Sequence, residues 1–202
     1  MNIPTDEECE RLLDYYCMPD NVRAHSEKVK KIAVLIAGEL VKKGFDINVE
    51  LVKKAAILHD IAKVIDFHEF PDAEKRCIET WKNLKKRFLG LNHTQAVMYL
   101  LSDYPEVADV IRRHAYKAVI DEKYYPYSWE AKIVTYADKR VAHDQVVSLK
   151  YRFEEGHKRW QKKGKSYDEE LIRKINDEYF RIEEEIFSQL DMNPEKIAEC
   201  ID

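Results

Sequence analysis

Along most of the chain, apolar residues recur three and four positions apart, the period of an α-helix and not of a strand. Thr5 followed by Glu8 is a capping-box pair and predicts a short helix ending near Tyr16. After "CMPDN", Asp20 or Asn21 is expected to cap a second helix reaching Gly44, with Val29, Ile32, Ile36 and Leu40 on one stripe and His25 at its N-terminal end. Asn48 opens a third, in which Val52, Ala55, Ala56 and His59 share a face. The segment "DFHEFPD" interrupts the pattern, and Asp72 to about Phe88 resumes it as a polar amphipathic helix.

"HTQAVMYLL" keeps helical spacing through His93, Ala96, Val97, Leu100 and Leu101, and Pro105 suits a first helical position, with Val107, Val110, Ile111 and His114 inward after it. Beyond the loop "DEKYYPYSW", Ser128 caps a helix that turns Ile133, Val134, Ala137, Asp138 and Val141 inward. From Ser148 on the chain is charged and helical. Leu171, Ile175, Tyr179, Ile182, Ile186 and Leu190 form a stripe that predicts a docking face, for the domain itself or for a second copy in a homodimer. Composition agrees: 5 Gly and 6 Pro are too few for a many-turned β-fold, and helix formers dominate. We expect an all-α protein of one domain over residues 1–202, with a core at 20–147 and a C-terminal helical extension at 148–202.

The net charge of −4 gives no field for nucleic acid or an anionic membrane. The basic runs Lys82–Phe88 and His157–Lys165 are interleaved with apolar positions and read as solvated helix faces. The acidic start "MNIPTDEECE" is neither a signal nor a transit peptide, and the longest aliphatic run, Ile32–Ala37, is too short to span a bilayer. Cys9, Cys17, Cys77 and Cys200 form no CxxC pair, so reduced thiols in a cytoplasmic protein are expected.

One stretch resists the simple core reading. "AAILHDIAK", Ala55 to Lys63, buries a carboxylate, which costs several kcal/mol unless a cation, hydrogen bonds or a metal satisfies it. His25, His59, Asp60, His93, His114 and Asp138 all fall on apolar faces of their helices. A lone histidine there is more often a core residue than a ligand; six such residues from five helices point to one shared site. Imidazole and carboxylate together suit iron, manganese, zinc, cobalt or nickel, and the absence of cysteine argues against a thiolate zinc site. His143, five residues after Asp138 on a continued helix, would point about 140° away, and His68 and His157 lack an apolar stripe.

The order H…HD…H…H…D, with "RAHSEKV" at Arg23–Val29, "LHDIAK" at Leu58–Lys63 and "YADKR" at Tyr136–Arg140, closely resembles the HD superfamily of metal-dependent phosphohydrolases, above all its small members with HDIG-type motifs. The resemblance spans roughly Asp20 to Val147. It implies an all-helical core around a metal site: His25, His59, Asp60 and Asp138 would hold one ion, and His93 and His114 a second, with Asp60 bridging. Iron or manganese is the expected metal. It also implies hydrolysis of a phosphate ester or anhydride of a nucleotide-like small molecule, with Asp60 and Lys63 in catalytic roles and Lys63 against the substrate phosphate. Lys139 and Arg140 are expected to point away from the site.

Two other activities fit the same ligands. Some HD-fold proteins bind two irons and use O₂ to oxidise small alcohols or phosphonates, and a non-catalytic nucleotide-binding module would keep the site without turnover. "HAYK" at His114–Lys117 departs from the His-Thr-x-Gly-like stretch of the family's diadenosine-tetraphosphate hydrolases. The loop Tyr124–Trp129 is read as pinned by aromatic packing, and the insertion at 64–88 as a possible shaper of the pocket.

Overall fold

A computed structural model describes residues 2–162 and 168–201; the end of the basic run at His157–Lys165, from Lys163 on, lies outside the described residues. The architecture is all-α apart from one small hairpin. In chain order the helices are α1 (Asp6–Tyr15), α2 (Asp20–Lys42), α3 (Val49–Leu58), α4 (Lys75–Arg87), α5 (His93–Leu100), α6 (Pro105–Arg112), α7 (Trp129–Lys139), α8 (Leu149–Lys162), α9 (Glu169–Phe187) and α10 (Ile197–Ile201). Short 3₁₀ turns follow α3 at Lys63–Asp66 and α6 at Ala118–Ile120. Strands β1 (Val141–Ala142) and β2 (Gln145–Val146) pair antiparallel, Val141 with Val146.

Local chemistry accounts for the helix starts. Thr5 and Glu8 form both halves of the capping box, and Asn48, Asn92 and Ser128 accept from the backbone N–H three residues on. Pro105 opens α6. At α2 the expected cap is corrected: Pro19 holds the N-cap position without a side-chain bond, so Asp20 is already helical, where its charge favours the N-terminal dipole. The helix ends at Lys42, and Gly44, with φ +93°, turns the chain.

α3 is the centre of the molecule. It packs against α1, α2, α6 and α7 and is buried on nearly every side, as a short helix apolar all round must be. Its one buried cation, Lys54, reaches Asp6 on α1. The stripe on α9 docks on the chain's own core: Ile175, Tyr179, Ile182 and Ile186 are buried, and α9 lies against α7 and α8. Arg140 ties this extension down. It is buried and donates to Glu183 at 3.2 Å, to the Pro194 carbonyl at 2.9 Å and to the Val147 carbonyl at 2.6 Å. Arg140 thus points away from the centre, as expected.

The cysteine expectation is corrected. Cys17 and Cys77 are paired as a disulfide with Cα atoms 5.3 Å apart, while Cys9 and Cys200 are free. The indole of Trp81 on α4 donates to the carbonyls of Tyr16 and Cys17, which seats α4 on the turn after α1 and brings Cys77, one helical turn earlier, alongside. No helix among the described residues is long and apolar enough to cross a membrane.

Candidate metal centre

α3, α6 and α7 end close to one another, and the chemistry gathers at those ends. The last carbonyls of a helix lack intrahelical partners. His59, at the C-cap of α3, satisfies one of them by donating from Nδ1 to the Ala56 carbonyl at 2.7 Å. His114, just past α6, repeats the arrangement on the Ile111 carbonyl at 2.6 Å. Each ring spans back three residues to cap its own helix, and its Nε2 is thereby turned the other way, toward the centre.

The other two rings are anchored differently to the same effect. His25 donates from Nδ1 to the His143 carbonyl at 3.0 Å, and His93 donates from Nδ1 to the Asp66 carboxylate. All four histidines therefore commit Nδ1 to an oxygen acceptor and present Nε2 as a lone pair when neutral. What those atoms meet are groups that also only accept. Nε2 of His25 lies 3.1 Å from Asp138 Oδ1, and that of His93 3.3 Å from Asp60 Oδ1. His59 Nε2 stands 3.6 Å from both Asp60 Oδ2 and Asp138 Oδ1, buried and without a hydrogen-bond partner. Lone pairs facing lone pairs repel unless a cation lies among them.

Ligand atoms of His25, His59 and Asp138 lie within 4.8 Å of one another, as do those of His59, Asp60 and His114. His93 completes the cluster, with Nε2 3.2 Å from that of His114. Nitrogen and carboxylate donors in this number fit one or two divalent transition metals. The backbone agrees: Asp138 lies in the last turn of α7, where the dipole disfavours a carboxylate and favours a cation.

Electrostatics carry the same sign. Burial works against the charge on Asp60, but Lys63 and His59 outweigh it and hold that carboxyl well below the usual range. Asp138 is likewise held well below, burial being outweighed by Lys139, His25 and His59. Burial alone would strip a proton from His59; Asp60 and Asp138 reverse that and raise its pKa. His114, equally buried but less compensated, is pushed down to about 4 by burial. One oxygen of each carboxylate thus faces His59 Nε2.

Three residues outside the expected set take part. Lys139 was expected to point away; its side chain instead folds back, buried, with Nζ on Asp138 and 3.4 Å from the His114 carbonyl. His143 was placed by extending α7 as a helix, but α7 ends at Lys139 and the chain reverses through the hairpin. His143 takes φ +59° in its two-residue loop, which turns its carbonyl onto His25. Asp66, in the 3₁₀ turn after α3, orients His93; an aspartate 27 positions away in an irregular segment carries no local signal of that role.

Lys63 begins the 3₁₀ turn after α3, with Nζ 3.3 Å from Asp60 Oδ1. His25, Asp60, His93, His114 and Asp138 floor a cleft of about 420 Å³, within the range of small-molecule sites at roughly 300–1,000 Å³. Phe67, from the insertion, lines it, as do residues of α8. The loop Tyr124–Trp129 supplies none of the described lining. Tyr125 and Tyr127 pack on each other, Arg113 holds the Tyr125 carbonyl, and Arg112 and Lys123 flank Tyr124.

Comparison with known families decides what this arrangement is. Residues 22–142, more than half of the chain, match the model of the HD domain, a span that holds all six converging residues. The chain belongs to the HD domain family. HD domains are for the most part metal-dependent hydrolases, and the His/Asp cluster of this one could hold a metal ion. No curated protein and no solved structure matches the chain.

Proposed function

We propose that this HD domain is a phosphohydrolase acting on a nucleotide-like phosphate ester or anhydride. The carrying observation is the set of four histidines, each fixed at Nδ1, aimed with two carboxylates at a cleft whose floor also carries Lys63. His25, His59, Asp60 and Asp138 would hold one divalent ion, and His93 and His114 a second beside Asp60. When bound, such ions supply Lewis acidity, lowering the pKa of water and offsetting charge on phosphoryl oxygens.

The chain's own residues supply the rest. The Nδ1 anchors hold the rings in place before substrate arrives, so little reorganisation is left for the reaction. Lys63, whose pKa is raised because Asp60 outweighs the effect of burial, is an ammonium at neutral pH and stands where a phosphoryl oxygen would meet it. Lys139 neutralises Asp138 from the side away from His25. Asp60, between Lys63 and the histidines, has its carboxyl held well below the usual range, which suits it to orient an attacking water as a carboxylate.

The test is phosphate release under argon from protein loaded with Mn²⁺ or Fe²⁺, over a panel of mononucleotides, cyclic nucleotides and dinucleoside polyphosphates, with Asp60→Ala in parallel. Release that vanishes in Asp60→Ala supports the reading. O₂ uptake with an alcohol or phosphonate and no phosphate release would replace it with the oxygenase, and nucleotide binding without turnover with the binding module.

A further inference from the structure

The helix α8 lies outside the segment that matches the HD domain, yet it forms one wall of the metal-centre cleft. Its charged residues Lys158 and Lys162 are exposed, as a solvated face predicts, while another face of the helix lines the cleft. Arg152, Phe153, Gly156, Arg159 and Trp160 recur at helical spacing and all line the cleft.

Gly156 is the telling member. Glycine inside a helix is about 1 kcal/mol worse than alanine. Here φ is helical, and a Cβ built on the residue would meet nothing within 4 Å, so neither backbone strain nor a close neighbour explains it. Its missing side chain leaves a shelf on the cleft face of α8, flanked by Phe153 and Trp160. Glycine with open space above it is what close approach of a ligand to a helix requires.

The groups around the shelf are fixed in advance. Trp160 packs edge-on against Tyr116 at 5.3 Å, and Tyr116 follows the ligand His114 by two residues. Tyr116 also donates to Asn176 on α9 at 2.7 Å, so α8, α9 and the ligand-bearing segment share one joint. Glu155 holds both arginines, Arg159 Nε at 2.6 Å and Arg152 Nη1 at 3.3 Å. The trio keeps a net positive charge, and the buried Nε of Arg152 has no partner.

We propose that α8 is the substrate-recognition wall of this centre: the Gly156 shelf receives a planar ring against Trp160, and Arg152 and Arg159 meet an anionic group beyond the reacting phosphoryl. The substrate class is then a nucleotide carrying at least two phosphates. This rests on the phosphohydrolase reading for the placement of the reacting phosphoryl.

The experiment measures binding of ADP, AMP and inorganic phosphate by calorimetry to the full Mn²⁺-loaded chain, with phosphate release from ADP recorded beside it. Stacking of a base on an aromatic side chain leads us to expect about tenfold weaker binding of both nucleotides in Trp160→Leu. Arg159→Gln should weaken ADP about tenfold and AMP much less. Gly156→Leu should block both nucleotides while Gly156→Ala, which fills the shelf less, raises Tm by about 2–4 °C and weakens them modestly. Inorganic phosphate should bind within twofold of wild type throughout. Wild type that binds ADP no better than phosphate, or variants that lose neither nucleotide, or that lose phosphate equally, would overturn the proposal. ADP bound through α8, with no phosphate released from ADP or from any compound of the nucleotide panel, would leave the recognition wall standing and overturn the phosphohydrolase reading instead.

Discussion

The Nε2 atoms of His93 and His114 stand 3.2 Å apart, although each ring already donates from Nδ1, His93 to Asp66 and His114 to the Ile111 carbonyl. Two neutral imidazoles so anchored face each other lone pair to lone pair, a contact that a shared cation makes favourable. Asp66 sets one of the two anchors. Asp66→Asn should therefore weaken Mn²⁺ binding about 10–100-fold, the usual effect of losing a histidine's outer partner. Asp66 is partly exposed, so the fold should survive; unchanged affinity by metal titration would show that His93 is oriented by something else.

On the proposed function, Lys63 serves the substrate and not the metal. Lys63→Gln should lower kcat/KM for phosphate release by at least about tenfold, as loss of a charge-assisted contact implies. Metal content should stay at the wild-type level. A parallel loss of metal would mean that Lys63 supports the centre and not the substrate.

The pH dependence of stability has a marker remote from the centre. Hydrogen bonds from Lys53 and Lys54 lower the Asp6 carboxyl from 3.8 to about 2. A carboxyl depressed by folding stabilises fully above its ordinary pKa, and that stabilisation is lost as pH falls toward the folded value. Asp6→Asn should lower Tm by a few degrees at pH 7, because it leaves Lys54 buried with only Glu50 at 3.5 Å. Wild type and variant should converge between pH 4 and pH 2. A constant difference across that range, in thermal scans, would place the effect elsewhere.

The Cys17–Cys77 bond closes a loop spanning 60 positions, for which chain entropy gives about 4 kcal/mol of stabilisation. Reductant should lower Tm of the wild type and leave a Cys17→Ser/Cys77→Ser variant unmoved. Equal Tm with and without reductant would show that the pair does not stabilise the fold.

Much of this molecule is legible in its sequence, for local reasons. Thr5 with Glu8, Asn48 and Ser128 cap their helices through bonds three residues long. Of the site residues, His25, His93 and Asp138 lie within helices, while His59, Asp60 and His114 fall just past the ends of α3 and α6, near enough for the helical period to point to them. Extrapolation fails where the period stops. His143 and Lys139 were oriented by continuing α7, but the helix ends there, and a flexible lysine can fold back onto the residue beside it. Asp66 depends on a tertiary contact with no spacing rule. That α8 lines the cleft follows from tertiary packing and has no spacing rule in the sequence.

In the proposed function, six converging residues hold divalent metal at two adjacent positions. The direct measurement is bound manganese per chain, by elemental analysis after loading with Mn²⁺ and desalting. The account predicts about two equivalents in wild type, about one in His93→Ala/His114→Ala and close to none in Asp60→Ala. Wild type that retains no metal, or a double histidine variant that retains as much as wild type, would contradict it.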